Sequence, residues 1–156
     1  MTTPTLEGVT DRQRSLARVE DDMVRIVRSV RAGIVRNATA FCPEVQPSGY
    51  SVMTYIAGHH PTPPSAIVAH TGMDKSAVSR QLRILKDLGF VTSSPDPSDK
   101  RADLFSPTPE ALDRLERLRV EAKAAYADVF EGWADDDLAR FAELLTVFTE
   151  RLEDVR

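Results

Sequence analysis

The residues with the clearest chemical use lie between Asp74 and Arg83, in the run DKSAVSRQLR. Ser76, Ala77, Ser79 and Arg80 would share one outward surface if this run were helical, with Lys75 and Arg83 beside them. Two hydroxyls, a methyl and a guanidinium on one helix face form a set that can meet base edges in a DNA major groove. Small side chains let the backbone approach, and arginine can bridge guanine O6 and N7. Ser76 and Ser79 could bond bases or phosphates, Ala77 could touch a thymine methyl, and Lys75, Arg83 and Lys86 suit phosphates or solvent. A second cationic point follows at Lys100 and Arg101, at the end of the turn-rich stretch PDPSDKR. An arginine at a hairpin tip suits the strong negative potential of a narrow minor groove. Asp96 and Asp99 would repel phosphate there, and a local role for Asp99 is to bond tip amides and hold Arg101.

Other reactive types point to less. Cys42 is the single cysteine, which excludes an internal disulfide and leaves a redox-responsive thiol as an alternative. His59, His60 and His70 lack the spacing of a metal site, so no metal and no cofactor is expected. No glycine-rich phosphate loop, nucleophile elbow or H-E-x-x-H motif occurs, and Asp135-Asp136-Asp137 reads as a helix start, so an enzyme is not expected.

The elements that must position the cationic run are legible from periodicity. Residues 1–10 read as a loose arm. A long helix starts at Asp11, with Leu16, Val19, Met23, Ile26, Val27, Val30 and Ile34 in one apolar stripe and seven arginines elsewhere, and Cys42-Pro43 to Pro47 is a break. Ser48 is the expected cap of a short helix to Gly58, and Thr62 the cap of the next, with Pro63 in its first turn and Gly72 at its end. Asp74 caps Lys75–Leu88, whose buried face is Val78, Leu82, Leu85 and Leu88; Gly89 stops it. A hairpin follows to Ser106. Thr108 or Pro109 then opens a long helix, and Asp135 opens the last after a corner at Trp133-Ala134.

The fold expected is mainly α with a small β-hairpin wing: a winged helix-turn-helix head over 48–107, between helical scaffold segments 11–47 and 108–156, in one compact domain. The net charge of −4 is unevenly spread. Residues 1–109 hold 13 Lys/Arg against 11 Asp/Glu, and residues 110–156 hold 7 against 13. A local basic face is what DNA requires, and this distribution permits one. With no apolar run near the roughly 18 residues that span a bilayer and no signal-like start, a cytoplasmic chain without membrane contact is expected.

Taken together, the helix run DKSAVSR and the wing run DKRADLFSPT, about twenty residues apart, resemble the MarR family of transcriptional regulators over nearly the whole chain. The wing resembles that family's D-x-R-x5-L-T pattern through Asp99, Arg101 and Thr108, with Pro107 where leucine is usual, Ala111 where glycine is common, and Thr92-Ser93-Ser94 in place of a basic strand. The resemblance implies a homodimer built from the first and last helices, set on a pseudo-palindromic duplex. It also implies that Asp74 pairs with Arg101 to brace the wing. It further implies repression relieved by a small phenolic or anionic effector, held by Phe41, Tyr50, Met53, Tyr55 and His59 with Arg31 or Arg36 for a carboxylate. The residues alone leave a protein-interaction module open, and an activator is as compatible with them as a repressor.

Overall fold

The structure, a computed structural model, describes residues 10–99 and 102–154. Its elements run α1 (Asp11–Phe41), α2 (Pro47–His59), α3 (Pro64–Thr71), α4 (Lys75–Asp87), β1 (Val91–Pro95), β2 (Asp103–Pro107), α5 (Pro109–Val129) and α6 (Asp135–Glu153). This is the mainly helical architecture with one hairpin that the periodicity predicts. No helix among the described residues is long and apolar enough to cross a membrane.

The helix starts follow local chemistry. Thr10 accepts the Gln13 amide while the Gln13 side chain accepts the Thr10 amide, a reciprocal cap that fixes the first turn of α1. Ser48 does not cap α2: the helix begins earlier, at Pro47, with Gln46 as N-cap, because proline in the first turn forfeits no hydrogen bond. Thr62 does not cap α3 either. That helix begins at Pro64, and Thr62 pairs with Phe105 of β2. Its N–H donates to the Phe105 carbonyl at 2.8 Å and its carbonyl accepts from the Phe105 N–H at 2.9 Å, while its hydroxyl donates to the His59 carbonyl. Gly72 closes α3 at φ 67° and Gly89 follows α4 at φ 77°, left-handed conformations that glycine adopts without steric cost.

The described residues divide into two compact units between Leu115 and Glu116. In the first, Phe41, Val52, Met53, Ile56, Ile67, Val78 and Leu85 form a closed core at the junction of α1–α4, roofed by Phe90, Val91 and Phe105. Helix α2 packs on α1, α3 and α4, and α4 also packs on β1. The antiparallel hairpin pairs Val91 with Pro107 and Pro95 with Asp103. At the contact of α2 with α4, a Cβ on Gly49 would lie 2.8 Å from Gln81 Oε1 and 3.2 Å from Val45 Cγ1, so the missing side chain makes room for the buried amide.

The rest of α1 is different. Its buried residues are Ala38 and Phe41, in the last turns, while Leu16, Val19, Ile26, Val27 and Val30 of the predicted stripe are exposed. In the second unit α6 buries no residue, although Leu138, Phe141, Leu144, Leu145, Phe148 and Leu152 lie along it. Phe130, Trp133 and Phe141 cluster at the α5–α6 corner, Trp133 meeting each phenyl ring edge-on at 5.3 and 5.6 Å.

Candidate nucleic-acid interface

Helix α4 is held from beneath and open above. Val78, Gln81, Leu82 and Leu85 are buried; Leu88, assigned to that face from the sequence, is the half-buried C-cap. Lys75, Ser76, Ser79, Arg80 and Arg83 are exposed and Ala77 is half-buried. The predicted face is therefore assembled on one surface, carrying three cations, two hydroxyls and a methyl.

Its start is organised by Asp74. One carboxylate oxygen accepts the Ala77 amide at 2.8 Å and the Ser76 hydroxyl. The Ser76 bond foremost, then the Ala77 amide and more weakly the Arg80 charge, hold the Asp74 carboxyl below the usual carboxylate range, so it is ionised at neutral pH. Ser79 donates to the Lys75 carbonyl one turn back at 2.9 Å. At the other end, Lys86 reaches across to the wing and donates to Ser93 Oγ of β1 at 2.7 Å, a link that sequence reasoning missed because it joins positions with no shared periodicity.

The wing tip is held by its own backbone and by Asp96. Asp96 N–H donates to the Ala102 carbonyl at 2.8 Å and Ala102 N–H to the Asp99 carbonyl at 2.9 Å. Asp96 Oδ1 accepts both the amide and the hydroxyl of Ser98 at 2.7 Å, the hydroxyl contributing most to a lowered Asp96 pKa. Asp96 thus has the local role that explains an acid at a tip. Lys100 and Arg101, and with them the expected Asp74–Arg101 and Asp99–Arg101 contacts, lie outside the described residues.

A second positioning residue also escapes sequence reasoning. Arg114 of α5 donates to the Phe41 carbonyl at 2.7 Å and to Glu110 at 2.8 Å, and its guanidinium lies 5.0 Å from the Phe90 ring centroid. It thereby satisfies a carbonyl at the C-terminus of α1 and ties it to the base of the wing.

The residues expected around an effector lie on α1 and α2. Phe41 and Met53 are core. Tyr50 is half-buried with its ring 6.0 Å from Phe41, and burial raises its pKa. Tyr55 stacks between His59 and His70, each 4.3 Å away, and Arg31 lies on the exposed part of α1 beside Val27 and Arg28. Cys42 is buried, donates to Glu44 at 2.8 Å, and has its pKa raised by burial first and by Glu44 second. That is the setting of an inert thiol, since reactivity needs an exposed thiolate. Among the described residues no group of three His, Cys, Asp or Glu side chains could hold a metal ion.

Comparison with known proteins gives this arrangement a relation. The model of the MarR family matches residues 45–102, which span α2 to the wing. No curated protein matches the sequence significantly. Among solved structures, a MarR family transcription regulator superposes with a TM-score of 0.78 at 16% identity, covering 92% of this chain and 94% of that one. RV1404 from Mycobacterium tuberculosis does so at 0.75 with 17% identity over 96% and 97%. Streptococcus pneumoniae FabT, solved in complex with DNA, gives 0.73 at 15% identity over 90% and 99%. Over residues 45–102 the chain is thus similar to the MarR family, and over most of its length it shares the winged-helix fold of solved members of that family.

Proposed function

We propose that the chain is a homodimeric, sequence-specific DNA-binding repressor, with α4 in the major groove, the wing beside it, and a pseudo-palindromic operator beneath two heads. The DNA-reading part is residues 48–107, and the dimer scaffold is 11–47 with 108–156. The observation that carries this reading is the α4 surface, where Lys75, Arg80 and Arg83 are all exposed on a helix whose other face is locked into the core. That FabT, similar in fold, was solved with DNA supports it. The two apolar faces left open, on α1 and α6, support the dimer. In this reading Arg80 contacts guanine, Lys75, Arg83 and Lys100 meet phosphates, and Arg101 enters the minor groove. Release is by a small phenolic or anionic ligand, which acts only through its differential affinity for bound and free forms.

The test is binding to duplex DNA over a salt series. Wild-type affinity is expected to fall with log-log slope of about −0.9 per phosphate contact. Arg80→Ala is expected to lose roughly 10- to 100-fold on the preferred sequence and little on random DNA. Equal affinity of both proteins for both duplexes would instead direct the search to a protein partner.

A further inference from the structure

We propose that Ser76 and Ser79 read DNA as acceptors only. Each then selects a base offering an amino group, adenine N6 or cytosine N4, over a keto base on the strand that it faces. This rests on the DNA-binding function proposed above and specifies what that site recognises.

A serine hydroxyl has one proton and two lone pairs. In Ser76 the proton goes to Asp74 Oδ1. Asp74 is ionised and has none to return, which fixes the direction of the bond. In Ser79 the proton goes to the Lys75 carbonyl oxygen, again an acceptor without a proton, at 2.9 Å. Both side chains are exposed on the face that carries Arg80. What they offer outward is lone pairs.

Base edges in the major groove divide accordingly. Adenine N6 and cytosine N4 donate, whereas guanine O6 and N7 and thymine O4 accept. Phosphate oxygens accept as well, so neither serine is suited to the backbone. The ionised Asp74 bonded to Ser76 also repels a phosphate from that hydroxyl. Ser93 is the internal contrast. Its oxygen accepts from Lys86 Nζ at 2.7 Å. An ammonium has no lone pair to offer, so Ser93 keeps its own proton and suits a phosphate oxygen. Identical side chains on neighbouring elements thus carry opposite polarity toward DNA.

The full chain should be used to select sites from a random duplex pool, as wild type, Ser76→Ala and Ser79→Ala. Alanine is the better helix former, and circular dichroism checks that each variant is folded. Wild type is expected to enrich A or C over G or T, by about 3- to 10-fold, at one strand position per serine. Each alanine variant should flatten its own position alone. Replacing the selected adenine by purine, or the selected cytosine by 2-pyrimidinone, removes the amino group. This should cost wild type the same factor and cost the matching alanine variant nothing. Keto bases at those positions, or an amino preference that survives alanine, would overturn the assignment while leaving DNA reading intact. A pool from which wild type enriches no sequence would overturn both.

Discussion

The junction of α1 to α4 and the helix α6 are both rich in apolar residues at helical spacing, yet they end in opposite states. At the junction, Val52, Met53, Ile56, Ile67, Val78 and Leu85 are buried to 3% exposure or less, and the chain closes a core from its own segments. Along α6, Leu144 is 54% exposed, Leu152 54% and Phe148 37%, with nothing buried. Periodicity specifies a sticky face in each case, but what covers that face is decided by the elements available. The difference separates a head that is complete in one chain from a scaffold face whose partner is, in the function proposed here, a second chain.

The sharpest way to break that comparison is aspartate at both Leu144 and Phe148. If the α6 face is the dimer seam, each chain loses two apolar burials of about 1.5–3 kcal/mol apiece. Sedimentation should then show monomer at micromolar concentration where wild type is dimeric. A wild type that sediments as a folded monomer would mean that α6 is open for another reason. A smaller effect tests the completeness of the head. Arg114→Ala removes a charged hydrogen bond to the Phe41 carbonyl, and denaturant unfolding should show a loss of about 1–2 kcal/mol, little of it recovered by lysine, which lacks the planar fork. An unchanged midpoint would show that α5 is held there by apolar contacts alone. The smallest effect is at the helix start. Asp74 has a native pKa below its unfolded value, so its contribution is complete above about pH 4 and is lost as pH falls through the native value. Asp74→Ala should lower the melting temperature at neutral pH, and the gap from wild type should shrink in acid. A gap that stays constant with pH would mean that the cap acts through geometry and not through charge.

What the sequence made legible was what is local. Asp74, Gly72 and Gly89 work within one turn of where they stand, and each was readable from its neighbours. The exposed cationic face of α4 followed from helical geometry once the start of the helix was fixed. Thr62 was misread as a cap because a threonine before prolines satisfies the local rule, while its actual partner, Phe105, lies far along the chain. Arg114 was missed for the same reason: nothing around it signals a carbonyl at the end of α1. Aromatic type marks core and cavity alike, so the sequence could not show that Phe41 and Met53 are buried in the core.

The Thr62–Phe105 pairing has a kinematic consequence. Because β2 is bonded to β1 on one edge and to Thr62 on the other, the wing is pinned to the joint between α2 and α3 as well as to α4. Pro97 stands about four strand positions beyond Phe105, roughly 13 Å at 3.3 Å per residue. A tilt of about 10° at the pin would swing that point by about 2 Å, enough to break a hydrogen bond. The hairpin is therefore geared like a pointer to the α2–α3 joint, and small rotations at that joint are amplified at its tip.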